Sequence, residues 1–431
     1  MEESIGIAVV AAFVVSYAAV SARLSRTWLT GPIVFVTFGY LVGPDVLDVV
    51  PLGLESELVR ILAELTLVLV LFTDAARIHL RELRRESSLP IRLLVIGMPL
   101  TIAGGAAVAY GLFDVAPWSA LLLAAVLTPT DAALGQVVVA SPRVPGRIRQ
   151  TLNVESGLND GIAVPFITLF IAGASATQSV ESADFWVRFA TKQIGFGVLV
   201  GIGIGLVGGW LVDRATESGW MDGTFRQLAV LSLAVGAFFT AEEIDGNGFI
   251  AAFVAGLVVG NVTRDVCSGI FDFTEEEGQL LALITFMIFG GAFVGPTLGE
   301  LTWQVALYAV LSLTLIRMVP VALALAGAGL RRDTVAFVGW FGPRGLASIV
   351  FGLLVLESAD VPAHEEIFTV VTWTVLASVF AHGLSAVPLS DLYGRRVEAA
   401  AEEPGMAEME PTVHHRLRWV PHHLRGDDES I

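Results

Sequence analysis

The sequence predicts an all-α membrane protein with many transmembrane helices. Of its 431 residues, 55% are hydrophobic and only 16% are charged, whereas soluble proteins carry about 25% charged residues. The apolar residues form blocks of about 17–25 residues, which is the length that a helix needs to cross the hydrocarbon layer of a membrane. Short polar connectors separate these blocks. Both observations favour a bundle of membrane-spanning helices.

Thirteen segments have the apolar composition of a membrane span. They lie near residues 5–21, 29–43, 59–76, 91–111, 117–140, 155–173, 191–211, 226–241, 247–261, 279–295, 301–329, 334–356 and 365–388. Together they predict a transmembrane domain over residues 1–396. The chain then becomes polar, so residues 397–431 are expected to form a partly disordered cytoplasmic tail.

The composition also argues against several other classes of protein. The chain has one cysteine, Cys267, which cannot form an intrachain disulfide or a cluster of cysteine ligands. The net charge of −17 comes from acidic connectors and an acidic tail, so it does not indicate a nucleic-acid partner. We expect no cofactor, and the expected partners are the lipid bilayer and small ions.

The basic residues predict how the chain is oriented. One set of connectors holds seventeen arginines, and the alternate set holds only three basic residues, Arg60, Arg188 and Lys192. Connectors rich in arginine remain in the cytoplasm. The N-terminus is therefore expected outside and the C-terminus in the cytoplasm, as an odd number of spans in a plasma membrane requires.

The two ends of the chain are similar to each other. Six spans over about 5–173 are followed by one linking helix, about 191–211, and then by six more spans over about 226–388. With one span between them, the second set enters the membrane from the opposite side. The segment Gly39–Gly43 has a counterpart in Gly256–Gly260 at a similar offset. Chance similarity between glycine-rich apolar segments is the alternative to an inverted repeat.

Each half also contains an interrupted span, at Pro129 in span five and at Gly342–Gly345 in span twelve. Inverted repeats with an interrupted helix in each half are typical of secondary transporters, whose binding site lies where the broken helices meet. The sequence therefore predicts a transporter rather than an enzyme.

Span five is interrupted at Thr128–Asp131. Pro129 cannot donate a backbone hydrogen bond, and the hydroxyls of Thr128 and Thr130 can satisfy the groups that it frees. Broken helices expose partial positive charge at one end and partial negative charge at the other. We expect Asp131 to offset the first and Arg344 the second, with an oxygen of Thr128–Thr130 near the ion. A simple proline kink is the alternative.

Span six carries the densest group of polar side chains. Helical spacing places Glu155 and Asn159 on one stripe, and Ser156 and Asp160 on the next. Sodium and lithium are hard cations that prefer such oxygen ligands, and an ionisable residue here costs about 2.5–3.5 kcal/mol on insertion scales. Asp160 is the best candidate for a carboxylate that holds either a proton or a cation. A polar cluster that only packs helices together is the alternative.

Three further residues are ionisable and lie within predicted spans. Arg317, in the middle of its span, requires an anion, and Glu155 is the preferred partner with Asp160 as the second choice. Asp74 lies near the cytoplasmic end of span three, where it would attract cations or simply mark the helix end. His382 is interpreted as a hydrogen-bonded core histidine, with a role in proton relay as the alternative.

Taken together, these motifs resemble the monovalent cation:proton antiporter-1 family, which contains prokaryotic sodium/proton exchangers and animal sodium/hydrogen exchangers. The resemblance rests on Thr128–Asp131, Glu155–Asp160, Arg317 and Gly342–Gly345. It covers roughly residues 5–390. The pair of Asn159 and Asp160 in this context is more specific than the Gly-Pro-Arg-Gly sequence.

The resemblance implies an architecture and a mechanism. It implies thirteen helices and a homodimer, with a mobile core built from spans 4–6 and 11–13 and a dimerisation domain built from spans 1–3 and 8–10. Movement of the core would expose Asp160 to each side of the membrane in turn. Asn159, Ser156 and Thr130 would be its near neighbours. Relatives often carry a glutamate at the position of Asp74, so the shorter aspartate leaves its role in binding open.

The resemblance also bears on the remaining charges and on stoichiometry. It implies that Glu155 pairs with an arginine, either Arg317 or Arg344. Relatives with two adjacent acids release two protons per sodium, whereas Asn159 has no proton to release. We therefore predict electroneutral one-for-one exchange of a proton for sodium, lithium or potassium. A sodium-coupled solute symporter and a channel are the alternatives.

Overall fold

The computed structural model describes residues 2–24, 27–50, 57–80, 88–176, 183–263, 268–400 and 407–409. All regular secondary structure within these ranges is helical, which confirms the predicted all-α class. Several predicted features lie outside the described residues, namely Cys267, Arg26, Arg81, Arg84, Arg85, Arg264 and the tail from 410 onward.

The first half of the chain forms seven helices within the described residues. They are α1 (Glu2–Leu24), α2 (Gly31–Val42), α3 (Glu57–Ala76), α4 (Ser88–Leu112), α5 (Pro117–Val126), α6 (Ala132–Val139) and α7 (Gly146–Ser175). The eighth helix, α8, consists of Ala183–Ala190, a π-helical turn at Thr191–Phe196, and Gly197–Glu217.

The second half contains seven more helices within the described residues. They are α9 (Gly223–Glu243), α10 (Gly248–Val262), α11 (Ser268–Ile288), α12 (Trp303–Ala324), α13 (Arg332–Trp340), α14 (Leu346–Glu357) and α15 (His364–Ala400). A π-helical turn at Phe289–Val294 and the short turns Gly295–Thr297 and Leu298–Glu300 extend α11, and a 3-10 turn lies at Ala407–Met409.

The chain is a multi-pass membrane protein by the length and composition of its helices. Within the described residues, eight helices are long and apolar enough to cross a membrane, and α2, α5, α10 and α14 are shorter apolar helices. Each of the thirteen predicted segments overlaps a helix of the structure. The number of membrane crossings stays a prediction.

Several helices extend well beyond the predicted spans, and two of them lie near the candidate site. Helix α7 begins at Gly146 rather than near 155, and α15 continues to Ala400, past the predicted end at 388. The prediction followed apolar composition, whereas tertiary packing stabilises polar helical turns as well. Tyr393 illustrates this, because its ring stacks on Phe337 of α13 with 4.2 Å between the ring centroids.

Glycines allow close helix packing at two similar crossings. At Gly39 of α2, a Cβ atom would collide with the carbonyl of Met287 in α11. At Gly256 of α10, a Cβ atom would collide with the carbonyl of Phe72 in α3. Small residues let helix backbones approach in this way. Thus α2 packs on α11 much as α10 packs on α3.

Helices α5 and α6 form an interrupted pair, as do α13 and α14, and the two interruptions meet. The backbone N–H of Asp131 donates to the carbonyl of Pro343 at 2.8 Å. Ser348 Oγ donates to the carbonyl of Val126 at 2.7 Å. Helix α7 packs against α5 and α6. The polar residues of α7 therefore lie beside this crossing, which positions the candidate site.

Candidate functional site

Asp131 caps the N-termini of two half-helices. Its Oδ1 accepts hydrogen bonds from the backbone N–H groups of Ala133 at 2.6 Å and Leu134 at 3.1 Å. Its Oδ2 accepts from the N–H of Leu346, at the start of α14, at 2.6 Å. A carboxylate is stabilising at both positive helix ends. Backbone donors therefore engage both oxygens at the positive helix ends, where the sequence places Asp131 as an offsetting charge. Its membership of the ion site stays a prediction.

The C-terminal ends of the other two half-helices also contact buried side chains. Arg344, which is fully buried, donates through Nη1 to the carbonyls of Thr128 at 3.3 Å and Gly342 at 2.9 Å. The Nε2 atom of His382 lies 2.9 Å from the carbonyl of Trp340, the last residue of α13. Cationic or donor groups are stabilising at these negative helix ends.

Glu155 forms an ion pair with Arg317. The distance between Arg317 Nη1 and Glu155 Oε1 is 2.6 Å, and each side chain is only 3% exposed. A charge-assisted hydrogen bond of this length offsets part of the desolvation cost of both groups. Of the two arginines that the sequence left open, the structure pairs Arg317 with Glu155 and places Arg344 against backbone carbonyls.

Asn159 joins α7 to the helix crossing. Its Nδ2 donates to Thr130 Oγ1 at 2.6 Å, and the backbone N–H of Thr130 donates to Asn159 Oδ1 at 3.3 Å. The amide therefore acts as donor and acceptor for the same residue, which a carboxylate at this position cannot do. The predicted neighbours Asn159 and Thr130 are thus brought into direct contact.

Asp160 and Ser156 lie one helical turn apart on α7 and are both buried. Ser156 Oγ donates to the carbonyl of Asn153 at 3.2 Å, which leaves its lone pairs available. A small cavity lies between the crossing and α7, and its lining includes Thr130, Asp131, Gly135, Ser156, Phe341 and Pro343. Thr130, Asp131 and Ser156 of the predicted site line this cavity, whereas Asn159 and Asp160 are not among its lining residues.

Asp74 of α3 lies against the same part of α7. A Cβ atom at Gly157 would be 3.7 Å from the Cβ of Asp74. Arg77 Nη1 lies 3.8 Å from Asp74 Oδ1, and both residues are buried. Arg77, one of the seventeen connector arginines, directly follows the last residue of α3 and is buried next to the predicted site. Its position three residues after Asp74 was the sequence signal for this pair.

Ser378 of α15 is a further buried residue that sequence reasoning missed. Its Oγ accepts the backbone N–H of Arg344 at 2.6 Å and lies 3.1 Å from His382 Nδ1. A serine in an apolar helix carries no distinguishing signal by itself. His382 is buried among these groups, in keeping with its interpretation as a core histidine.

The fold and site define a class of protein. A membrane bundle in which two interrupted helices cross beside buried carboxylates is the architecture of secondary transporters. The chain belongs to the sodium/hydrogen exchanger family, since the family profile described as "Sodium/hydrogen exchanger, transmembrane" matches residues 9–391. This family consists of transporters of monovalent cations and protons.

Curated relatives are similar to most of the chain. It is 25% identical over 369 residues to the K(+)/H(+) antiporter NhaP2 of Shewanella oneidensis, with 84% of this chain covered. It is 26% identical over 367 residues to the Na(+)/H(+) antiporter ApNhaP of Aphanothece halophytica, with 79% of this chain and 67% of the relative covered. The chain spans 62% of the length of the Shewanella protein.

The fold is similar to that of a solved antiporter. The structure of the sodium proton antiporter MjNhaP1 from Methanocaldococcus jannaschii at pH 8 gives a TM-score of 0.71 at 20% identity. That comparison covers 89% of this chain and 100% of the other. An electron-microscopy structure of the same antiporter gives a TM-score of 0.74 at 16% identity.

Proposed function

We propose that the protein exchanges one monovalent cation for one proton across the membrane. The carboxylate of Asp160 is the shared site, and Ser156, Thr130 and Asn159 supply neighbouring oxygen atoms or orient them. The observation that carries this proposal is the placement of buried Asp160 on α7, beside the crossing to which Asn159 is hydrogen-bonded. Burial in a membrane bundle disfavours a bare carboxylate charge, so it favours the binding of a proton or a cation.

The balance of buried charge supports one-for-one exchange. Among the described residues up to Ala400, the buried acids and arginines comprise four carboxylates and three guanidinium groups, namely Asp74, Asp131, Glu155, Asp160, Arg77, Arg317 and Arg344. The set carries one excess negative charge. One proton or one monovalent cation neutralises it, so exchange between them leaves the charge of the site unchanged.

The packing supports alternating access between two repeats. Helix α2 packs on α11 and α10 packs on α3 through similar glycine contacts, as expected for a scaffold built from inverted repeats. The interrupted pairs and α7 form the mobile core in this proposal. We further propose thirteen crossings, a homodimer in the plasma membrane, an outside N-terminus and a cytoplasmic C-terminus.

The identity of the cation is also part of the proposal. Relatives carry names that specify either K(+) or Na(+), so family membership does not select one ion. The ligands proposed here are oxygen atoms, which suit sodium, lithium and potassium alike. We propose sodium as the first ion to test, with lithium and potassium ranked beside it.

The proposal is tested in acid-loaded liposomes that contain a pH-sensitive dye. Sodium, lithium or potassium is added outside wild type, Asp160→Asn and the control Asp184→Asn, whose aspartate is exposed and paired with Arg188. We expect cation-triggered alkalinisation in wild type and the control, and its loss in Asp160→Asn. Wild-type exchange by Asp160→Asn would refute the site. Sodium uptake that needs an organic solute and moves no protons would favour the symporter instead.

A further inference from the structure

A short segment of the C-terminal region is docked on the helical bundle. The turn Ala407–Met409 lies against the start of α7. Ala407 and Glu408 are buried, with Glu408 only 1% exposed, whereas Met409 is 58% exposed. A buried glutamate is unexpected in a segment predicted to be a disordered tail, because carboxylates are rarely buried without specific partners.

The carboxylate of Glu408 has specific partners at the start of α13. Its Oε1 accepts hydrogen bonds from the backbone N–H of Arg331 and from Thr334 Oγ1, each at 2.8 Å. Tyr393 of α15 donates in turn to Thr334 Oγ1 at 3.1 Å. The carboxylate is therefore linked to two separate helices, directly to α13 and through the Thr334 hydroxyl to α15.

The electrostatic surroundings favour an anion at this position. The N-cap residue of α13 is Arg331, whose own side chain makes no capping hydrogen bond. Its guanidinium instead pairs with Asp333 through distances of 3.0 and 3.2 Å. Glu408 thus supplies a carboxylate at the N-terminus of α13, where a negative charge is stabilising.

Two further contacts hold the backbone of the segment. The guanidinium of Arg147, in the first turn of α7, donates to the carbonyl of Ala407. Gly329, in the turn before α13, adopts a φ of +75°. A Cβ atom added to Gly329 would lie 3.7 Å from the Cβ of Ala407, so the backbone of this glycine lies next to the segment. The site is therefore formed by residues from the starts of α7 and α13, from α15 and from the turn that leads into α13.

We propose that the starts of α7 and α13 form a binding site for a carboxylate of the chain's own C-terminal segment, and that Glu408 occupies this site and caps α13. Helix α13 leads directly into the interruption at 341–345, and α7 carries Asp160. Docking of the segment therefore fixes the starts of the two helices that meet at the proposed ion site. This second part, the influence on exchange, rests on the proposed function.

Thiol labelling tests the docking without any measurement of transport. With Cys267 replaced by serine, Ala407→Cys and Met409→Cys are prepared separately and treated with a water-soluble maleimide. A docked segment should make the thiol at position 407 react at least about tenfold more slowly than the thiol at position 409, because a buried group reacts only when the structure opens locally. Adding Glu408→Ala should bring the rate at position 407 close to the rate at position 409.

The matched control is Glu398→Ala, which removes an exposed carboxylate from the end of α15. It should leave the slow labelling at position 407 unchanged. Equal labelling of the Ala407→Cys and Met409→Cys variants without further substitution would overturn the proposal. So would an identical effect of Glu408→Ala and Glu398→Ala on labelling at position 407.

The influence on exchange is measured in the liposome assay with the native Cys267. Glu408→Ala should lower the maximal exchange rate several-fold and leave the KM for the cation unchanged, since the residues around Asp160 are intact. Glu398→Ala should match wild type. A wild-type rate for Glu408→Ala would overturn the influence on exchange. Absence of exchange in wild type would refute the proposed function, while the labelling result would still decide whether the segment docks.

Discussion

At the scale of single residues, the two buried arginines of the crossing have different acceptors. Arg317 pairs with the carboxylate of Glu155, and Arg344 donates to the carbonyls of Thr128 and Gly342. Both guanidinium groups are withdrawn from water, so each requires its own acceptors. Removal of one arginine therefore leaves its acceptors without a donor, and the other arginine cannot replace it without rearranging the crossing.

The ion pair gives a direct stability prediction. Arg317→Ala should lower the free energy of unfolding by about 3–5 kcal/mol, because it leaves Glu155 charged, buried and without its partner. Thermal unfolding of the purified protein in detergent measures the change. Replacing both residues, Glu155→Leu with Arg317→Met, should recover much of the loss, since the buried charges are then absent.

Arg214→Ala is the control for this measurement. The side chain of Arg214 is 63% exposed and lies 3.9 Å from Glu217. Surface ion pairs of this kind contribute about 0–1 kcal/mol. A loss of stability in Arg317→Ala no larger than that in Arg214→Ala would contradict the assigned ion pair.

At the scale of helices, the crossing depends on capping that one interrupted pair supplies to the other. Asp131 belongs to the first interrupted pair, yet its Oδ2 accepts the N–H of Leu346 in the second. Gly345 lies directly against this carboxylate. The absence of a side chain at position 345 is therefore what allows one aspartate to reach both helix starts.

Gly345→Ala tests this arrangement. The added Cβ would collide with the carboxylate of Asp131 and displace it from the N–H of Leu346. We expect a loss of about 1–3 kcal/mol, the range for a buried donor left without a partner, together with reduced exchange. Gly104→Ala in α4 is the control, because no heavy atom lies within 4 Å of its added Cβ. Equal stability of the two variants would contradict the packing of Gly345 on Asp131.

At the scale of the whole molecule, the described helical bundle up to residue 400 buries one more carboxylate than arginines, and this excess bears on the proposed transport cycle. A site that carries either one proton or one monovalent cation has the same net charge in both states. Its movement across the membrane field then involves the same charge in each direction. Moving a charge through the membrane potential changes its energy by about 2.3 kcal/mol per charge per 100 mV. Because the charge is the same in both directions, these two energies cancel over a transport cycle.

The exchange rate should therefore be insensitive to membrane potential. Sodium-driven proton movement is measured in liposomes whose potential is set with valinomycin and a potassium gradient, and a voltage-sensitive dye verifies that potential. We expect the same rate at zero and at inside-negative potential. A strong dependence on potential would contradict one-for-one exchange and favour more than one proton per cation.

The prediction from sequence was most successful where the chemistry of a residue is incompatible with its apolar surroundings. Pro129 and Gly342–Gly345 indicated the interruptions because each prevents a regular helix, and the structure has interruptions at 127–131 and 341–345. The crowding of Glu155, Asn159 and Asp160 on one helix was readable from helical periodicity. Family membership followed from these motifs and is shown by the match over residues 9–391.

Other features depend on contacts between residues far apart in the chain. The choice of Arg317 over Arg344 as the partner of Glu155 required three-dimensional distances, since either charge satisfies the sequence pattern. The buried position of Glu408 could not be read from a polar tail, because its partners, Arg331 and Thr334, lie 77 and 74 residues away.

Sequence composition determined the helical membrane class and the candidate ion-binding residues, because those follow from local chemistry. The tertiary structure decided which charges pair and which cap helices, because electrostatic interactions inside a membrane protein depend on distances of a few ångströms.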